Sequence, residues 1–182
     1  MLSQVAASRQ VVVFTHDDRL AEAVRHLQLP ATVWEVVRRE RSVIELRKSE
    51  DPVTRYLDDA RALAMTTELP ERAKAVVVAG FCRCAIEAAC HEKIRSSRLA
   101  SGMPHAEVER ALVDARTLTE TAALALFDNA ARGADVMPRL ASYGRGIADG
   151  FKAANRGVHG AHAGGLTALV DDTKILTAKL RR

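Results

Sequence analysis

Apolar and polar residues follow one rhythm at the start of the chain and another through the rest. Residues 10–17, Gln-Val-Val-Val-Phe-Thr-His-Asp, place four apolar side chains in a row before an abrupt polar tip. This is the pattern of a buried strand carrying Thr15, His16 and Asp17 to a sheet edge. From Asp17 to Leu27, the residues Leu20, Ala21, Ala23, Val24 and Leu27 recur at helical spacing behind an Asp-Asp start, and Pro30 stops the run. Residues 32–37 and 42–46 then read as two strands around the charged turn Arg38-Arg39-Glu40-Arg41, with Trp34 packed in the sheet. Strand, helix and hairpin together are too little sheet to stand alone.

Behind the polar boundary Lys48-Ser49-Glu50-Asp51-Pro52 the period becomes that of a helix. One helix is predicted over 53–65, with Tyr56, Leu57, Ala60, Leu63 and Ala64 on one face, and a long one over 71–100 after Pro70. Pro104 opens a third, 105–129, striped by Val108, Leu112, Ala115, Leu118, Ala122 and Leu126. A fourth runs from 136 towards 155, a Gly-rich stretch intervenes, and a last helix covers 166–180. The predicted fold class is α+β, mainly α, with two domains. Residues 1–48 form a strand, helix and hairpin, and residues 49–182 form a bundle of four or five helices without internal repeats.

Composition narrows the function classes. Aromatic residues make up 4% of the chain, too few for a platform that stacks single-stranded bases. The net charge of +4 permits nucleic-acid contact without arguing for it, because acidic residues are interspersed throughout. No signal peptide or membrane-length apolar run is present, so a cytoplasmic protein without a membrane partner is expected. Cys82, Cys84, Cys90 and His91 fan around a helix instead of converging, and no Cys-x-x-Cys pair exists. A metal site is therefore not expected, and buried free thiols are.

The run Arg9 to Asp17, the helix behind it and the strand pair to Leu46 resemble the end of an ABC-type ATPase head of the RecF and SMC kind. In that family a strand leads to a switch histidine that senses the terminal phosphate of ATP. The resemblance puts His16 in that role, flanked by Thr15 and Asp17. It covers about a quarter of the chain. No Gly-x-x-x-x-Gly-Lys-Ser/Thr, signature motif or acidic Walker B strand is present. The resemblance thus implies a C-terminal piece of such an ATPase, or a truncated or split relative. ATP and Mg²⁺ are then expected only when the rest of the head is supplied in cis or in trans. No cofactor and no ATPase activity are expected of this chain alone.

In the helical part, Phe151, Asn155 and His159 follow at four-residue steps, with Arg156 between and His162 one turn on. Arg83 and Glu87 form a similar pair on the long helix. This arrangement resembles HEPN-type and abortive-infection bundles, several of them metal-independent ribonucleases and commonly homodimers. The resemblance implies His159 or His162 as acid/base and Arg156 as the group that stabilises charge on the phosphate, with Arg83, Glu87 and Asn155 in support. The same residues suit a noncatalytic bundle, with Asn155 and His159 satisfied internally and Arg83 and Glu87 an ordinary ion pair. Two functions are expected, in this order. The first is a noncatalytic module of an ATPase whose bundle homodimerises or engages DNA, RNA or an effector in DNA repair or phage defence. The alternative is a ribonuclease carried by the bundle.

Overall fold

The computed structural model describes residues 2–16, 18–27, 29–49, 51–156 and 165–182. The chain divides into two compact units, Met1–Ser49 and Glu50–Arg182. Its class is α+β and mainly α, with one two-stranded antiparallel sheet among the described residues.

In the N-terminal unit, α1 (Leu2–Ala6) and α2 (Asp18–His26) precede the strands β1 (Trp34–Arg38) and β2 (Ile44–Lys48). The hairpin forms about two residues later than the sequence suggests. Its connection contains a 3₁₀ turn at Glu40–Ser42, where Ser42 takes the left-handed φ of 62° that closes the loop. Residues 10–15 are not a strand. They carry no regular structure, and Phe14 is 91% exposed. The physical reason is pairing: among the described residues the only sheet is β1 with β2, and apolar content alone cannot hold a strand that no neighbouring strand joins. Trp34 lies in β1 as expected, yet its side chain remains 59% exposed instead of packing.

The helical unit is built around α4 (Glu71–Ala100), against which α3 (Pro52–Met65), α5 (His105–Asp114), α6 (Leu118–Phe127), α8 (Arg145–Arg156) and α9 (Gly165–Leu180) all pack. Helix α7 (Gly133–Ala141) bridges α6 and α8. Two segments expected as single helices are each interrupted. The first breaks because Ala115 leaves helical geometry at ψ 87° and Thr117 starts a new helix. The Thr117 hydroxyl accepts the Glu120 N–H at 3.2 Å, and the Glu120 carboxylate accepts the Thr117 N–H at 2.9 Å, a reciprocal cap. The second breaks at Ser142-Tyr143-Gly144, where Gly144 has a φ of 148° that a side chain would strain.

Val78, Cys82, Ala85, Ile86, Ala89 and Cys90 of α4 are buried against Leu57 and Ala60 of α3, Leu118 and Ala122 of α6, Phe151 and Ala154 of α8, and Leu169, Val170 and Leu176 of α9. Alanines on several of these faces let the helices approach closely, so the core closes with few aromatic rings. A smaller cluster of Ile94, Val108, Leu112, Ala115 and Leu124 holds α5 to the far end of α4. Charged side chains tie the ends together. Asp51 caps α3 through the backbone N–H groups of Val53 and Thr54, with Pro52 at the first helical position. Arg181, just past α9, reaches Asp51 at 2.7 Å and Glu92 at 2.8 Å. Lys74 is buried, and its ammonium donates to the Thr66 carbonyl at 3.0 Å, closing the turn between α3 and α4.

Candidate functional site

The polar groups of the helical unit gather along one line of α4. Arg83, Glu87, His91 and Arg95 succeed one another at four-residue steps, so these four polar side chains share one side of the helix. Arg83 donates through Nε to Glu87 Oε1 at 2.9 Å, and its Nη1 stands 3.5 Å from Asn155 Oδ1 on α8. Asn155 Nδ2 is in turn 3.5 Å from Thr119 Oγ1 on α6. Three helices thus converge on one polar spot, and Arg156 ends α8 beside it, exposed to solvent.

One and two turns further on, the line continues. Arg95 grips Glu109 of α5 with both arms of its guanidinium, at 2.7 and 2.8 Å. This fork holds the Glu109 carboxyl below its ordinary range. His105 Nε2 lies 3.8 Å from the same carboxylate. Burial, and next the Arg95 guanidinium, hold His91 below its usual value, while Glu87 and Glu109 pull the other way. His91 is therefore a neutral imidazole near pH 7, able to accept a proton.

The resemblance to HEPN-type bundles sets Arg83 and Glu87 opposite Asn155, and the structure has Arg83 in reach of both Glu87 and Asn155. It brings in Thr119 as well, and the His91, Arg95 and Glu109 group, which sequence reasoning misses. In the sequence His91 stands out only as a metal-ligand candidate beside the cysteines. The four-residue step from Arg83 through Arg95 is the signal that could find it. His159 and His162 lie outside the described residues, as does Asp17. Thr15 and His16 are exposed, with His16 at a bend instead of a strand tip.

The cysteines are chemically quiet. Burial pushes the Cys82 thiol up to about 11 and the Cys90 thiol up to about 12, and burial also raises Cys84. Each is a neutral thiol at pH 7, a poor nucleophile and a poor metal ligand. Among the described residues no group of three or more His, Cys, Asp or Glu side chains could hold a metal ion. No helix among them is long and apolar enough to cross a membrane.

The N-terminal unit offers a surface of another kind. Register pairs Trp34 with Lys48, Val36 with Leu46 and Arg38 with Ile44 on one face of the hairpin, and Glu35 with Arg47 and Val37 with Glu45 on the other. On the first face Val36, Ile44 and Leu46 are 60%, 67% and 65% exposed. On the second, Glu45 is held by Arg47 at 2.7 Å and by Arg39 at 2.8 Å, which keeps its carboxyl down at about 2. The apolar side of the sheet thus faces solvent, while the charged side is internally paired.

No protein-family model matches the chain, and no curated protein or solved structure matches it either.

Proposed function

We propose that the chain is a noncatalytic module. Its N-terminal unit completes the head of a RecF- or SMC-like ATPase supplied in cis or in trans, and its helical bundle is the surface through which that assembly dimerises or engages nucleic acid or an effector. ATP and Mg²⁺ belong to the completed head, where His16 senses the terminal phosphate. The observation that supports this reading is the N-terminal unit itself. It exposes the apolar face of its hairpin together with Val12, Val13 and Phe14, the groups that a finished sheet would cover.

The test is reconstitution. The polypeptide from the same genome that carries a phosphate-binding loop and resembles a RecF or SMC head should hydrolyse ATP faster when this chain is added. The gain should disappear with His16→Ala. ATP hydrolysis by the chain alone, or an unchanged rate after mixing, would refute the module reading.

A second reading has its own support, in the convergence of Arg83, Glu87 and Asn155 at the root of the segment that bears His159 and His162. In this reading the bundle is a metal-independent ribonuclease, with imidazole as acid/base and Arg156 stabilising the phosphate. Incubation of the purified chain with mixed RNA in EDTA tests it. Cleavage that is lost in an Arg156→Ala, His159→Ala double variant would replace the first reading with this one.

A further inference from the structure

We propose that the apolar face of the hairpin docks a protein layer of complementary character, apolar at its centre and bearing carboxylates opposite Arg38 and Lys48. The proposal rests on the reading of the N-terminal unit as part of a larger assembly and names the chemistry of what covers it.

Charge segregation carries the argument. The face that presents Trp34, Val36, Ile44 and Leu46 has two charged residues, Arg38 beside Ile44 and Lys48 beside Trp34, and both are cations at opposite ends. Both strand carboxylates, Glu35 and Glu45, lie on the other face, where Glu45 is already paired with Arg39 and Arg47. A partner that buries the apolar centre must meet the two cations without desolvating them unpaired, which requires acceptors at its rim.

Other occupants fit less well. A second copy of the hairpin would bring two more cations and no carboxylate to the same contact. A nucleic acid would find three aliphatic side chains at the centre and a single aromatic ring for stacking. A lipid surface would meet a sheet with no third strand on either outer edge among the described residues. Backbone groups left without partners are costly at an apolar boundary, whereas a protein strand can satisfy them.

Trp34 is the only tryptophan of the chain and sits within the face, so its emission in the full-length protein reports directly on coverage. The probes are two cyclic hairpin peptides presenting Val and Leu on one face, identical except for Glu or Lys at the corner positions. The Glu peptide is expected to shift Trp34 emission to the blue at roughly tenfold lower concentration than the Lys peptide. An Arg38→Glu, Lys48→Glu variant should reverse the preference. The wild-type comparison decides by itself, so the test does not depend on how the variant folds. Equal response to the two peptides, or no response to either, would overturn the proposal. So would a shift seen only with phosphatidylglycerol vesicles, only with an oligothymidylate, or only on concentrating the chain alone. The ATPase reading is judged by hydrolysis and His16, and its failure would leave the peptide result standing by itself.

Discussion

The two units spend their apolar residues in opposite ways. The helical unit encloses α4 on nearly every side and buries Ile86, Leu118, Leu169 and Leu176 almost completely. In the N-terminal unit, no described side chain is fully buried, and its largest apolar residues, Phe14 and Trp34, face solvent. Both units are rich in Val, Leu and Ile, so hydrophobic content does not separate them. What separates them is the number of elements available to cover each apolar face, since burial needs a second layer. Several helices supply that layer around α4, and no described element within residues 1–49 supplies it for the hairpin.

The sharpest way to break this contrast is to truncate a buried aliphatic side chain in one unit and an exposed one in the other. Ile86→Ala in the full chain should cost about 3 kcal/mol, the usual range for opening a cavity in a packed core. Urea unfolding followed by helical circular dichroism would show it. A loss below about 1 kcal/mol would mean that α4 is not the packed centre described above.

Removing Asp51 comes next, because it both caps α3 and receives Arg181. Asp51→Ala should lower stability of the helical unit by about 1–2 kcal/mol, and Thr117→Ala at the α6 cap by about 1 kcal/mol. If Arg181→Ala abolishes the difference between Asp51 and Ala, the ion pair rather than the cap carries the effect.

Thiol chemistry sharpens the same contrast without a large free-energy change. Under native conditions a disulfide reagent should modify Cys84 first, with Cys82 and Cys90 following only on unfolding. The pH dependence has a definite sign. Cys90 is raised from 9.0 to about 12, so its contribution is complete below pH 9.0 and is lost as pH climbs towards 12. Glu45 runs the other way, with a contribution present above 4.5 and lost as pH falls towards 2. Because Glu45 and both of its arginine partners are open to solvent, this pair should show in a carboxyl NMR titration and hardly at all in stability.

The smallest effect belongs to the hairpin. Val36→Ala should change stability by less than about 0.5 kcal/mol in the isolated chain, as expected for an exposed side chain. A cost approaching that of Ile86→Ala would show that the face is covered, and the contrast between the units would collapse.

Much of the helical unit is legible in the amino-acid sequence. The run of apolar residues on 53–65, the 30-residue helix after Pro70 and the stop at Ser101-Gly102 are consequences of local period and caps. The Thr117-to-Glu120 box is also present in the sequence. It is easily passed over because the apolar stripe of 105–129 continues through it at helical spacing, and period alone does not reveal a break that preserves phase. For the candidate site, the Arg83–Glu87 pair is readable from its spacing, and Asn155 is set opposite it by the resemblance to HEPN-type bundles. Thr119 and Glu109 are not readable, because Thr119 meets Asn155 of α8, and Glu109 meets Arg95 of α4, only across contacts between helices.

The sequence by itself determined where helices form, where most of them begin and end, and which residues of the hairpin share a face, because these depend on neighbours within a few positions. Tertiary structure decided which apolar runs became core. Residues 10–14 have a stronger strand pattern than β1 or β2, yet they join no sheet among the described residues, because a strand is completed by a partner and not by its own residues. It also decided that the charges of α4 would meet Asn155 and Glu109, contacts that exist only once α5, α6 and α8 are folded against the same helix.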